Sequence, residues 1–364
     1  MEKIWLKSYP KNVLPEIKNS RYTSITDLFK SASDKFPNNI AFTNLNTKLT
    51  FKQTKKHAEN FGANLHNTLS ITRGSKVAIM LPNLLTYPVA LFGSYIAGAT
   101  VINVNPLYKS REIENALTDS GAETIIVLDR FLPELEPVVS KTLLKNIIIC
   151  KVTDLVNPYM KILIKTLVFF KGPKIKLNQE YLQFSDMISN SKINNEINLS
   201  SNDIALLQYT GGTTGKSKAA VLTHANILAN IEQLHAWVGS TVSQGKESIV
   251  TALPLYHIFS FSVNLLYFFS IGSNNILVTN PRDLKSFVKI LEKNKFTVIT
   301  AVNTLFNLLL TSSSFKKINF SHLKFAVGGG MAVLSNTAKK WKKLTGVEIT
   351  QGYGLTETSP IVSI

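Results

Sequence analysis

From residue 75 onward, apolar runs of strand length alternate with longer segments of helical period. "SKVAIML" (75–81) is a continuous apolar run that reads as a buried strand, and "LLTYPVALFGSYIAG" (84–98) as an apolar helix ending at Gly98. "TVINVN" (100–105) is a second strand, closed by Pro106. "SREIENALTDSG" (110–121) carries its apolar positions on one helical face, with Ser110 expected as N-cap and Gly121 as C-cap. "AETIIVLD" (122–129) is a third strand. This alternation predicts βαβ units and a parallel sheet covered by helices on both faces.

Between about 150 and 200 the periodicity weakens, lysine and asparagine accumulate, and loops plus one amphipathic piece are expected. Order returns with the strand "DIALLQYT" (203–210) and the helix "THANILANIEQLHAWV" (223–238), with Thr223 as N-cap. "SIVTALPLYH" (248–257) reads as strand then turn, and "SFSVNLLYFFSIG" (260–272) as a very apolar helix. Short strands are expected at "NNILVTN" (274–280), "FTVITAV" (296–302), "LKFAVGGG" (323–330) and "VEITQGYG" (347–354). No internal repeat is visible. The expected fold is α/β with mostly parallel strands in at least two sheets, in approximate subdomains 1–200 and 201–364.

Composition narrows the class. With 364 residues, 45% hydrophobic and 17% charged, the chain can bury a large core and is neither disordered nor a coiled coil. The start "MEKIWLKSYPKN" lacks the apolar run of a secretory signal, and the single Cys150 excludes an internal disulfide and a cysteine metal cluster, so a cytoplasmic protein is expected. Net charge is +17, but 35 of the 40 basic residues are dispersed lysines. Arginine-poor, scattered charge argues against a nucleic-acid partner, and the lysines read either as AT-rich codon bias or as a functional basic surface.

One stretch points to a membrane face. In "YMKILIKTLVFFKGPKIK" (159–176), the apolar part from Tyr159 to Phe170 would span only about 18 Å as a helix, too short to cross a bilayer core. Lys161 and Lys165 share a helical face, with Lys171, Lys174 and Lys176 following. The segment reads either as a packed helix with a solvated edge or as an interfacial helix on anionic lipid, which would place the protein peripherally at the inner membrane face.

The chemistry concentrates in "QYTGGTTGKSKAAVLTH" (208–224). Glycines, hydroxyls and lysines at this density suggest a phosphate loop, and two designs compete. A P-loop NTPase requires G-x-x-x-x-G-K-[ST]; ending that pattern at "GKS" (215–217) puts Thr210 where the first glycine belongs, and no convincing apolar strand ends downstream in a magnesium-holding aspartate. "SKAAVLTHANILANI" could still continue as the P-loop helix. The other design is a hairpin loop whose glycines let backbone N–H groups reach the β- and γ-phosphates, with hydroxyls from Thr210, Thr213 and Thr214 and charge from Lys218. It needs a second element for base and metal. "QGYGLTETSP" (351–360) supplies a tight turn, an aromatic ring at Tyr353 and a carboxylate at Glu357, while failing as a dinucleotide fingerprint.

Together, "YTGGTTGKSK" and "GYGLTE" resemble the adenylate-forming ligase superfamily of acyl-CoA synthetases, luciferases and nonribosomal adenylation domains. "PNLLTYPVALFG", "VNPLY", "TALPLYHIF", "NPRD" and "GGGM" are similar to the bacterial long-chain-fatty-acid–CoA ligases, and the likeness runs from "WLKSYP" to the end. The resemblance implies the large N-terminal domain of such a ligase. It also implies that Tyr209, Thr210, Gly211, Gly212, Thr213, Thr214, Gly215 and Lys218 bind the pyrophosphate end of ATP. Gly328, Gly329 and Gly330 would border the adenine, with Tyr353 packed on it. Thr356 would contact the α-phosphate, Glu357 would hold Mg²⁺, and His257 would stand between acyl carboxylate and phosphate. Ser217 and Ala219 depart from the family's usual proline and glycine; Ala219 matters only if its backbone needs a positive φ. Taken alone, His257 would be a structural histidine, Gly328–Gly330 a plain turn and 260–272 core. His57, His66, His235 and His322 have no partner pattern.

The implied reaction is ATP-dependent activation of a long-chain fatty acid to an acyl-adenylate and then, with coenzyme A, to acyl-CoA. Expected partners are the fatty acid, ATP, Mg²⁺ and coenzyme A, with a homodimer and an anionic membrane as further expectations. Family members continue past the magnesium motif into a small C-terminal domain carrying a catalytic lysine. Ending at Ile364, the chain is expected to lack that domain and to be impaired by truncation. The alternatives are a non-catalytic nucleotide- or acyl-binding remnant and a P-loop NTPase.

Overall fold

The computed structural model describes residues 2–11, 13–17, 20–171, 181–193, 197–210 and 217–364, without the side chains of 167–171. In chain order the first strands are β1 (Ile40–Asn44), β2 (Thr47–Thr50), β3 (Lys76–Met80), β4 (Thr100–Asn103) and β5 (Thr124–Leu128). Next come β6 (Asn146–Cys150), β7 (Leu182–Gln183), β8 (Ile204–Thr210), β9 (Lys218–Thr223), β10 (Ser248–Thr251) and β11 (Asn274–Leu277). The last are β12 (Val298–Ala301), β13 (Phe325–Gly328), β14 (Ile349–Gln351), β15 (Tyr353–Gly354) and β16 (Ile361–Ser363).

These form two large sheets, ordered β7-β6-β5-β3-β4-β8-β9 and β14-β13-β12-β10-β11-β1-β2, plus the small hairpin β15-β16. Pairing in the large sheets is parallel except at one edge of each, where β8–β9 and β1–β2 are antiparallel. The expected α/β architecture with mostly parallel strands is therefore present. The second sheet draws on both ends of the described chain, since β1 pairs with β11 through Phe42↔Asn275 and Thr43↔Ile276.

The central strands are buried along nearly their whole length, which is why they read as continuous apolar runs rather than alternating ones. Three apolar cores result. The largest contains the helices Phe51–Leu69 and Thr86–Ile96 with the segment 260–271, and the other two include side chains of the two large sheets. The two helices touch through facing glycines, because a Cβ on Gly62 would stand 2.6 Å from the Gly93 carbonyl oxygen.

Helix ends follow local chemistry. The helix His224–Val238 starts at Thr223 in a capping box with Asn226, as the sequence predicts. Gly121 takes the left-handed conformation after the helix Ser110–Ser120, also as expected, but Lys109 rather than Ser110 is the capping position. Ser110 instead donates its N–H and hydroxyl to Glu134 at 3.2 Å each. The apolar segment after residue 260 is helical but wound wide, a π-helix over Ser260–Tyr267 with every residue buried.

No helix among the described residues is long and apolar enough to cross a membrane. The amphipathic piece is a helix, Pro158–Lys171. Asn157 pins its start by donating to Thr47 and the Asn46 carbonyl, while its own side-chain oxygen accepts the Met160 N–H at 2.9 Å. Lys174 and Lys176 lie outside the described residues.

Candidate nucleotide and acyl site

In sequence, residues 211–216 join the two strands of a hairpin. β8 and β9 pair antiparallel in the register Tyr209↔Ala219 and Thr210↔Lys218, and the Thr210 hydroxyl donates to the Lys218 carbonyl at 3.3 Å. A P-loop requires a helix to leave the loop, and here residues 218–223 are a strand, so the hairpin design is the one the backbone follows. Gly211, Gly212, Thr213, Thr214 and Gly215 lie outside the described residues. Ala219 has no positive φ, so the glycine usual at that position is not needed for backbone conformation.

Tyr209 and Thr210 face opposite ways, as neighbours on a strand must. Tyr209 is buried against the first sheet's outer core and donates its hydroxyl to Asp119 at 2.7 Å. Thr210 reaches a cavity of about 410 Å³. Lys218 is exposed at the start of β9 and is not among the cavity's lining residues.

Across the cavity, β10 leads into the "LPLYH" turn, and two side chains from the first sheet's side hold that turn in place. Asn83 donates to the Thr251 and Leu253 carbonyls at 2.9 Å each and accepts the Leu255 N–H at 2.8 Å. The buried Tyr87 hydroxyl donates to the Leu255 carbonyl at 2.9 Å and bridges to Asn103. These contacts position His257 on the cavity wall. Sequence reasoning missed both residues; the one available signal was a polar "PN" directly after a buried strand.

The Phe259 backbone N–H donates to His257 Nδ1 at 3.3 Å, which assigns the proton of the neutral ring to Nε2. Although the ring is open to solvent on one side, crowding by its neighbours strips water from it and lowers its pKa below the usual histidine value.

The triple glycine forms the next wall, and each glycine is required for a separate reason. A Cβ on Gly328 would stand 2.5 Å from a Val333 methyl, and one on Gly329 would stand 2.9 Å from the Phe259 ring. Gly330 has φ +75°. Gly329 and Gly330 line the cavity, while Gly328 lies buried behind them and accepts the Gly352 N–H at 2.8 Å. The loop that follows is held by Gln351, which accepts the Val333 N–H, and by Asn303, which accepts that of Leu334.

The β15–β16 hairpin closes the mouth. Gly354 is indispensable to it, since an added Cβ would meet the Pro360 carbonyl oxygen at 1.9 Å. Asn230 fastens the hairpin to the helix 224–238 by bonding both backbone groups of Ile361, at 2.8 and 3.1 Å. Between the strands, Thr356–Thr358 make one turn of 3₁₀ helix. Tyr353, Thr356 and Glu357 all line the cavity, with Tyr353 62% exposed at the rim. Glu357 is exposed and in no ion pair with a described residue.

Seven expected residues thus meet around one cavity: Thr210, His257, Gly329, Gly330, Tyr353, Thr356 and Glu357. Behind this polar rim the wall turns apolar, with Leu234, Val238, Val263, Val298 and Phe325 among its members. No group of three or more His, Cys, Asp or Glu side chains among the described residues could hold a metal by itself. A single unpaired carboxylate instead fits Mg²⁺ arriving with a nucleotide, whose phosphates would supply further ligands.

Known proteins resemble this chain in sequence and in fold. Residues 29–364 match the model of the AMP-binding enzyme family. The chain belongs to that family. It is 45% identical to a long-chain-fatty-acid–CoA ligase of Escherichia coli O157:H7, a match covering all of this chain and 66% of that protein. A long-chain-fatty-acid–CoA ligase of Haemophilus influenzae is 43% identical, again over the whole chain and 66% of its own length. The chain thus spans about 66% of the length of these relatives.

Among solved structures, the long-chain-fatty-acid-CoA ligase (FadD1) from Archaeoglobus fulgidus superposes with a TM-score of 0.79 at 23% identity, covering 96% of this chain and 67% of that one. The anthranilate CoA ligase AuaEII in complex with anthranoyl-AMP gives 0.80 at 23% identity, covering 93% and 61%. These two likenesses establish the fold of the AMP-binding enzyme.

Proposed function

We propose that this chain forms the nucleotide- and acyl-binding part of an ATP-dependent long-chain-fatty-acid–CoA ligase. The observation that carries this reading is the cavity whose polar rim of Thr210, His257, Thr356 and Glu357 opens onto an apolar interior. An amphiphile with a carboxylate head and an alkyl tail has the same polarity profile. The names of the close relatives point to the same substrate class.

In this reading Mg-ATP occupies the rim, with the hairpin loop 211–216 and Lys218 around the pyrophosphate and Tyr353 against the base. The fatty acid lies inward with its carboxylate at His257. The carboxylate oxygen attacks the α-phosphorus, the bond to pyrophosphate breaks, and acyl-AMP forms; coenzyme A thiolate then displaces AMP. His257 donates from Nε2–H to an oxygen of the carboxylate or phosphate, and the Thr356 hydroxyl donates to the α-phosphate. Glu357 would hold Mg²⁺, which supplies charge neutralisation on the phosphates. The clamps from Asn83, Tyr87 and Asn230 keep these groups in mutual register.

Acid-dependent ATP–pyrophosphate exchange tests the reading. Exchange that requires hexadecanoate supports it. Mg-ATP binding without exchange favours a non-catalytic binding remnant, and phosphate release without any acid contradicts the ligase reading.

The helix Pro158–Lys171 supports a peripheral membrane contact. Tyr159, Ile162 and Leu163, spaced i, i+3, i+4, are exposed, while Met160 is buried beside Asn46. Lys161 and Lys165 are exposed on the same helix. Replacing Lys161, Lys165 and Lys171 by Gln is expected to lower co-sedimentation with anionic vesicles, as is added salt. Sedimentation indifferent to both would leave only a packed helix.

A further inference from the structure

A serine inside a helix commonly returns its hydroxyl to the carbonyl one turn back, as Ser94 does to Ala90 at 2.7 Å. The polar residues of the π-helix do otherwise. Ser260 donates to the Leu253 carbonyl at 3.0 Å, in the turn that carries His257. Ser262 donates to the Ser359 carbonyl at 3.1 Å, at the end of the 3₁₀ turn that carries Thr356 and Glu357. Asn264 donates to the Val250 carbonyl and the Thr251 hydroxyl at 3.3 Å each, on β10. Alternate residues of one element thus reach three different parts of the molecule.

The same element supplies cavity wall through Val263 and Tyr267. Ser262 and Ser359 are both buried, so water does not compete for their bond. Most of the hydrogen bonds around the metal turn stay within its hairpin: the Leu355 N–H reaches the Pro360 carbonyl, and the Thr358 N–H that of Leu355. Two side chains from other elements hold the hairpin from outside. One is Asn230, on the helix that lends Leu234 and Val238 to the wall, and the other is Ser262. Both ties therefore run from the metal turn to elements an acyl tail would touch.

We infer that Ser262 is a positioning residue that links the acyl wall to the metal turn, so that acid and Mg-nucleotide favour each other's binding. A tail lying against Val263 and Tyr267 restrains the π-helix. Through Ser262 that restraint passes to the Ser359 carbonyl, and the Glu357 turn is ordered before the nucleotide arrives, which then pays less to order it. By linkage the nucleotide tightens acid binding by the same factor. Each ligand alone still reads its own half of the cavity; the tie shows when both are present. This inference rests on the acid- and nucleotide-binding reading of the cavity and adds a coupling to it.

The test is calorimetry of the 364-residue chain with Mg²⁺ and α,β-methylene-ATP, whose bridge prevents transfer, with and without saturating hexadecanoate. The affinity ratio between the two conditions is the coupling factor. Comparing that factor between proteins cancels the direct repulsion of the two anions. It is expected to be about 3–10-fold larger in the parent chain than in Ser262→Ala, with the affinity for hexadecanoate alone within about twofold. Ser270→Ala is the control: it removes another buried hydroxyl just beyond the π-helix, one that donates locally to the Tyr267 carbonyl at 2.7 Å, and should keep the parent factor. A second measurement needs no variant. Hexadecanoate alone should slow amide hydrogen exchange in residues 355–361 of the parent chain at least about twofold. Equal coupling factors in the parent and Ser262→Ala overturn the inference, as does exchange at 355–361 indifferent to the acid, or a factor lost equally in Ser270→Ala. If either ligand fails to bind the parent by itself, the reading of the cavity falls first, and this inference with it.

Discussion

At the mouth of the cavity, Thr210, His257, Thr356 and Glu357 stand on strand ends and single turns, whereas in its interior Val263, Val298 and Phe325 stand on a helix and strands that also build the core. The mouth is irregular backbone held by side-chain clamps: Asn83 on the His257 turn, Asn230 on the closing hairpin, Gln351 and Asn303 on the glycine loop. The interior is positioned mainly by apolar burial, with a buried polar tie at Asn264 beside Val263, which bonds Val250, Thr251 and Thr300. Substitutions at the mouth should therefore change nucleotide binding with little effect elsewhere. Those in the interior should change acid binding and leave the nucleotide alone.

The largest separation is expected for Glu357→Ala. Removing the one rim carboxylate should weaken Mg²⁺-dependent ATP binding by about 10–100-fold, the worth of a charged contact, while hexadecanoate affinity stays within about twofold. Calorimetry with and without Mg²⁺ reads both, and loss of acid binding would break the division. The converse variant is Val327→Phe, at a half-buried wall position. A ring projecting into the cavity should lower hexadecanoate affinity about tenfold and spare Mg-ATP. Equal losses of both ligands would mean that the interior and the mouth are not separable.

The hairpin loop 211–216 gives a smaller effect. Thr214→Ala combined with Lys218→Ala should weaken Mg-ATP binding several-fold by removing two polar phosphate contacts. Unchanged affinity would remove the loop from the nucleotide site.

The smallest effect sharpens the seam between the two regions. Burial holds the His257 pKa below its ordinary value, so the empty site has a neutral ring at neutral pH. A carboxylate bound beside it favours the imidazolium, so acid binding takes up a proton. Hexadecanoate affinity should therefore rise about 2–3-fold as pH falls from about 7.5 to about 6, and His257→Asn should flatten the profile. An affinity that falls over that range would place the carboxylate elsewhere.

The alternation of strands and helices from residue 75 to 129, the Thr223 cap and the glycine turn at 328–330 were legible because local pattern and final structure agree. The first 74 residues were not. β1 carries no signal for its partner β11, which lies more than 200 residues away, and the helix Phe51–Leu69 is polar on much of its surface. Apolar content located the segment after residue 260, but periodicity could not reveal its π winding.

At the site, motif residues identified the rim, but not the reasons for it. Nothing in the string "GYG" says that Gly354 is fixed by the Pro360 carbonyl, whereas Gly352 has room for a side chain. Asn83 and Asn230 look like any loop or helix asparagine until two sheets and a hairpin converge on them. Tyr209 went the other way: it belongs to the motif in sequence, while its strand turns it toward Asp119.

The central claim is that mouth and interior form one continuous site for the two halves of an acyl-adenylate. The most direct measurement is calorimetric titration of the 364-residue chain with a non-hydrolysable hexadecanoyl-adenylate analogue, alongside AMP and hexadecanoate separately. Because joining two ligands makes the second contact intramolecular, the analogue should bind at least about 100-fold tighter than either half. It should also lose affinity in both Glu357→Ala and Val327→Phe. An analogue that binds no tighter than its better half would contradict a single continuous site.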